Sequence, residues 1–184
     1  MTSPPIRTFL YWLNSGSRFA RLIAFASDGP WSHMGGGFEL EDGTIERFEA
    51  LKHQGFNGPK PMQSLLDFVQ SDPKRRMAIE YTDLDAEQSV IARDRCKSMV
   101  GKVAYGELQL ALMGLSERYF LPVPTTRGVT VCSEAWSRIL EPWVDLRDRR
   151  RHKHDMVNPN SAWRRFLEIK GGYSELNAAP ATAA

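Results

Sequence analysis

The chain has 184 residues, 42% of them apolar and 25% charged, enough to bury the core of one compact domain. Twenty-four Lys and Arg against 22 Asp and Glu leave a formal charge of only +2, so the composition makes no global electrostatic case for nucleic acid or membrane as a partner. Two cysteines, Cys96 and Cys132, are too few for a disulfide framework, and both are expected as free thiols. No apolar run approaches the ~20 residues of a membrane span, and the start "MTSPPIRTFLYWL" lacks the basic and apolar regions of a signal peptide. A soluble protein without a secretion signal is expected.

Residues 6 to 13, "IRTFLYWL", predict a first strand, being rich in aromatic and branched side chains. "SRFARLIAF" predicts a short helix capped by Ser17, with Phe19, Leu22, Ile23 and Ala26 on its inner face and "DGP" at its end. "WSHMGGGFEL" and "TIERFEAL" flank "EDG" and predict a hairpin, Gly43 supplying the positive φ of the turn. The Gly- and Pro-rich run 52–63, "KHQGFNGPKPMQ", reads as a loop with a turn at Asn57-Gly58. A short helix over "SLLDFV", a strand over "RRMAIEYTDL" and a helix opened by Asp85 with Gln88 follow. Val90, Ile91, Met99 and Val100 are its expected inner face, and Gly101 closes it. Beyond it lie a helical stretch, "GELQLALMGLSERYF", a break, "LPVPTTRG", and a short strand, "VTV". A helix with Ala135, Trp136, Ile139 and Leu140 inward runs to Pro142, and a last amphipathic helix spans "SAWRRFLEIKGG". The pattern is that of an α+β domain over residues 1–172, an antiparallel sheet with helices packed against it, and a flexible tail over 173–184.

Cys132 stands at the junction of the "VTV" strand and a helix N-terminus, where unpaired N–H groups and the helix dipole favour a thiolate. Two readings are open from its own position, a buried core thiol or a nucleophile, and a partner base decides between them. Of the four histidines, His53 lies in the Gly/Pro run, and His152 and His154 lie in an Arg-rich segment. His33 begins a strand and precedes Gly35, Gly36 and Gly37, whose missing side chains are expected to leave open space for a bound chain. If "EDG" is a three-residue loop, residues 40 and 44 pair and His33 lies opposite Leu51. Glu49 is then its diagonal neighbour on the same face, roughly 7–8 Å away, whereas Glu46 has the other parity.

These residues, with "SHMG", "FEA", the Tyr of "KVAYGEL" and "CSEAW" opening a helix, give a chain that resembles the permuted branch of the papain-like, NlpC-type hydrolases, the YiiX-like proteins. The resemblance spans roughly residues 28–165 and implies a circularly permuted papain-like fold in which the His strand precedes the Cys helix and a Glu of the next strand completes a Cys132–His33–Glu49 triad. It implies a thiol hydrolase or acyltransferase with no cofactor or metal, acting on a cell-wall peptide, an isopeptide or a lipid acyl group. It also admits a non-catalytic module of a phage or cell-wall assembly. Tyr105, Ser133 and Gly35 are the expected oxyanion or substrate-binding residues. Tyr105 departs from the family, which often shows Tyr-Asp where this chain has Tyr105 and Gly106, so a packed aromatic and an oxyanion donor remain alternatives there.

Two rivals come from other classes. The segment "DLRDRRRHKHD", 145–155, carries five Arg or Lys and three Asp and is a solvated turn or a phosphate-binding patch, the interleaved acids favouring the turn, so no nucleic acid is expected. His152 and His154 form a His-x-His pair, but no second ligand pair stands at a zinc-site spacing.

Overall fold

The computed structural model describes residues 3–51, 53–105, 129–147 and 157–171. The helical stretch expected over 106–120, the break after it, most of the Arg-rich segment and the tail lie outside these residues.

The first strand, β1 (Pro5–Asn14), is buried along most of its length, Leu10 and Trp12 entering one core, and Phe9, Tyr11 and Leu13 a second. It therefore reads as a continuous apolar run, the mark of a strand covered on both faces. Beside it lie β2 (His33–Leu40), β3 (Ile45–Leu51), β4 (Gly55–Pro61) and β5 (Arg76–Tyr81), in the order β4-β3-β2-β1-β5. All neighbours are antiparallel. The β2–β3 turn has the expected length: Leu40 N–H donates to Thr44 O at 2.9 Å, and Gly43 takes φ 78°. Gly35 accordingly faces Glu49 across the pair.

The Gly/Pro run expected as a loop is instead mostly the edge strand β4. An edge strand pairs on one side only, so Pro59 and Pro61 cost no ladder bond on the open side. At Asn57-Gly58 the register against β3 shifts, and Gly58 holds φ 144° against the Phe48 ring, a bulge where a turn was expected.

Helix α1 (Arg18–Ala26) joins β1 to β2, α2 (Gln63–Gln70) joins β4 to β5, and α3 (Ala86–Met99) follows β5. A two-stranded parallel sheet pairs β6 (Ala104–Tyr105) with β7 (Val129–Thr130), immediately before α4 (Cys132–Leu140), and α5 (Pro159–Ile169) ends the described chain. Helices α3, α4 and α5 build the larger core against Leu10, Trp12, Met34, Phe38 and Phe48, while Leu65 of α2 packs on the opposite face with Phe9, Tyr11 and Leu13.

Caps form where the sequence places them. Ser17 Oγ accepts from Ala20 N–H, and Asp85 with Gln88 makes a complete capping box. Two helix faces differ from expectation. In α3 the buried residues are Ser89, Ala92, Arg93 and Cys96, whereas Val90 and Ile91 are exposed. Small side chains let α3 approach the sheet closely: Thr8 donates to Ser89 Oγ at 2.8 Å, and Arg93 makes a bidentate pair with Glu46 at 2.7 and 2.8 Å. In α1 only Ala20 and Ala24 are buried, and Phe19 and Leu22 point outward.

The loop that delivers β2 is fixed by Asn160, the second residue of α5. Its Oδ1 accepts from Trp31 N–H at 2.8 Å, and its Nδ2 donates to Trp31 O at 2.8 Å and Ser27 Oγ at 2.6 Å. Asn160→Ala orphans buried backbone groups two residues before His33, so it should cost about 2–3 kcal/mol and lower Tm by roughly 5–10 °C in a thermal melt. Asn160→Asp, which keeps the Trp31 N–H acceptor, should cost less.

Candidate active site

At the head of α4 the N-cap residue Val131 is extended (φ −103°, ψ 164°) and supplies no side-chain cap, so the first-turn N–H groups are left for another acceptor. Cys132, the first helical residue, supplies it. Its sulfur receives the backbone N–H groups of Ser133 and of Met34 in β2, and the His33 ring hydrogen-bonds to it. Alternation along β2 sends Met34 and Gly36 toward α4, where Gly36 lies under the Trp136 ring, and sends His33 and Gly35 to the other face. The thiol approaches the end of the strand, and His33, the first strand residue, meets it there.

His33 Nε2 lies 3.3 Å from Glu49 Oε2, which leaves Nδ1 as the ring nitrogen available to the sulfur. The diagonal relation across the β2–β3 hairpin thus brings His33 and Glu49 together, and α4 adds Cys132. Sequence reasoning did not find the surroundings of Glu49. Tyr11 Oη donates to Glu49 Oε2 at 2.8 Å, Arg47 Nη1 donates to Oε1, and Lys60 Nζ stands 3.6 Å from Oε1. Arg47 also reaches Pro61 O and Ser64 Oγ, each at 3.1 Å, tying β3 to the end of β4 and the start of α2. The available signal was parity, since Arg47 lies two residues before Glu49 on one strand face.

The charges reinforce one another. Burial opposes a protonated His33, but the Cys132 sulfur beside it and Glu49 behind it outweigh burial and raise its pKa to about 10. Burial likewise opposes an ionised Glu49, yet His33, Arg47 and the Tyr11 hydroxyl hold it well below the usual carboxylate range. Burial works against a Cys132 thiolate as well, and His33 with the Met34 and Ser133 N–H groups still brings it below its ordinary value. Cys96, buried in α3, is pushed up by burial. The two thiols therefore differ in kind. Each group thus favours the charged form of the other, and the titrations belong to the pair together.

The remaining expected residues fall differently. The space over the glycines is filled, not open: a Cβ on Gly35 would overlap the Tyr11 phenol, one on Gly36 would meet Trp136, and one on Gly37 would meet the Glu46 carbonyl. Gly35 makes room for Tyr11, and no free surface for a bound chain exists there. The Ser133 hydroxyl is buried and donates to Val157 O, so its backbone N–H, not its side chain, faces the sulfur. The backbone of Tyr105 pairs with Thr130, two residues before Cys132, and its side chain lies outside the described residues. His152 and His154 also lie outside them. Among the described residues no group of three or more His, Cys, Asp or Glu could hold a metal ion.

No protein-family profile matches the chain, and no curated protein matches it in sequence. Among solved structures it is similar to the metalloprotein YiiX from Escherichia coli O157:H7, with a TM-score of 0.51 over 76% of this chain. The fold is YiiX-like. Identity to YiiX is 15%, and the match covers 66% of the YiiX chain, so the likeness is one of architecture, a mixed α+β domain with an antiparallel five-stranded sheet in this chain.

Proposed function

We propose that the chain, over residues 1–172 as a single permuted papain-like domain, is a cysteine-dependent hydrolase or acyltransferase acting on an amide or ester carbonyl. The observation that carries this reading is the position of His33, hydrogen-bonded to Cys132 on one side and Glu49 on the other in a nearly closed site. Cys132 thiolate attacks the carbonyl carbon, and the oxyanion that forms is held by backbone N–H at the head of α4. The His33 imidazolium protonates the departing amine or alkoxide as the tetrahedral intermediate collapses to a thioester. Neutral His33 then takes a proton from water, or from an acceptor amine or hydroxyl, as that group attacks and releases Cys132. Glu49 keeps the ring oriented and stabilises its charge throughout. Peptide, peptidoglycan-derived and lipid acyl substrates are all compatible with this chemistry.

The test needs no substrate. Iodoacetamide alkylation of Cys132, followed by peptide mass from pH 4 to 10, should have a midpoint below the ~8.5 of an unperturbed thiol, and His33→Ala should raise it above that value. Because Cys132 is fully buried, the midpoint is the readout and the absolute rate is not. Cys96 should stay inert in both proteins. A Cys132 that reacts only on unfolding would make the domain a binding or structural module of a larger assembly.

A further inference from the structure

Helix α1 is packed inside out. It turns Ala20 and Ala24 to the body of the protein, while Phe19, Leu22 and Phe25 are 50%, 60% and 65% exposed. These are the three most exposed large apolar side chains among the described residues. The next, Ile169 and Ile91, reach only 43% and 42% and lie on separate helices. Scattered apolar exposure is ordinary, but three such residues along nine are a patch. The same exposed arc carries Arg18 and Arg21, and α1 has no acidic residue.

We infer that α1 is an interfacial helix that seats the protein on an anionic lipid surface, its Phe19, Leu22 and Phe25 side chains entering the headgroup–acyl boundary and Arg18 and Arg21 meeting lipid phosphates. Large apolar groups with arginines on the same exposed arc are the composition of a helix that lies in a membrane interface. The long arginine stems let the guanidinium groups rise to phosphate level while the apolar residues go deeper. No described helix is long and apolar enough to cross a membrane, so the contact is peripheral. Charge selects this occupant over a second copy of the chain. A two-fold contact centred on α1 would bring Arg18 and Arg21 of both copies into one interface, and the helix itself offers no acid to neutralise them. A bilayer takes up projecting groups one by one, which suits side chains that stand 50%, 60% and 65% exposed.

This inference uses none of Cys132, His33 or Glu49, so it stands or falls separately from the enzymatic reading. The full chain is sedimented with vesicles of pure phosphatidylcholine and with vesicles containing phosphatidylglycerol, at low and at physiological salt. Binding to the anionic vesicles is expected, about tenfold tighter than to neutral ones and weakening with salt. Phe19→Ser with Leu22→Ser, and separately Arg18→Glu with Arg21→Glu, should each reduce it about tenfold or more. All four positions are exposed, so both variants should keep the wild-type melting curve and the Cys132 alkylation midpoint. Absence of binding to either vesicle, equal binding by wild type and both variants, or a solution dimer dispersed by the Phe19→Ser, Leu22→Ser pair would each overturn the assignment.

Discussion

Gly35→Ala should lower the unfolding free energy by about 3 kcal/mol and move the Cys132 alkylation midpoint up toward that of a free thiol. The added Cβ would fall within 3.0 Å of three atoms of the Tyr11 phenol, and Tyr11 is fully buried on the sheet face with Phe9, Leu13, Met62 and Leu65. Overpacking of this kind costs about 1–3 kcal/mol. Displacing the ring also breaks the Tyr11–Glu49 hydrogen bond, which leaves a buried hydroxyl unmatched at about 1–3 kcal/mol more, the two effects overlapping. With Glu49 loosened, His33 loses part of what holds its proton, and the thiolate loses its partner. Tyr11→Phe keeps the ring and removes only the hydroxyl, so it should cost about 1 kcal/mol. A double-mutant cycle separates the causes: Gly35→Ala combined with Tyr11→Leu should be less destabilised than the sum of the single changes by more than 1 kcal/mol, because the shorter side chain vacates the space. Strict additivity would show that the glycine is needed for some reason other than the Tyr11 ring.

That glycine illustrates what could be read before the fold was known. The hairpin was legible because its turn is local: "EDG" with Gly43 sets the loop length, the loop length sets the register, and period-two alternation then places Glu49 and not Glu46 on the face of His33. The capping box at Asp85 and the inner face of α4, with Ala135, Trp136, Ile139 and Leu140, were legible for the same reason. The glycines by themselves predict open space because one strand says nothing of what its neighbour carries, and it is β1 that sends Tyr11 across Gly35. The edge strand β4 was hidden by its prolines, which are breakers in an inner strand and harmless on an edge. The rule that large apolar residues point inward misplaces the inner faces of α1 and α3. Both bury small side chains instead, α3 so that Arg93 can reach Glu46 and Ser3 O, and α1 with its apolar residues left outside. The approach of Cys132 to His33 is tertiary, set by how α4 crosses β2, and only the order of the two residues along the chain hinted at it.

Arg47→Met is expected to lower stability by about 3 kcal/mol at neutral pH, with Tm falling by roughly 6–12 °C. The substitution keeps the aliphatic stem and removes the guanidinium, leaving the Glu49 carboxylate buried without its closest cation. Breaking a buried pair from one side costs about 3–5 kcal/mol. The lower end applies because protonated His33 at 3.3 Å and Lys60 at 3.6 Å still face the carboxylate. Lost bonds to Pro61 O and Ser64 Oγ loosen the β4–α2 corner as well. The deficit should depend on pH in a defined direction. A carboxylate whose folded pKa lies below its unfolded value of 4.5 contributes stability above pH 4.5 and loses it as the pH falls through the folded value. Without Arg47 the folded value moves back up, so less stability is gained from ionising Glu49 and less is lost in acid. The gap between wild type and Arg47→Met should therefore be widest above pH 4.5 and narrow as the pH drops, measured by urea unfolding across the range. Glu49→Gln provides the control, since a neutral amide needs no counter-charge: in that background Arg47→Met should cost at least 1 kcal/mol less than in the wild type. An equal cost in both backgrounds, together with a gap that does not change with pH, would mean that Arg47 serves the β4–α2 corner alone and that His33 and Lys60 suffice to hold the buried charge.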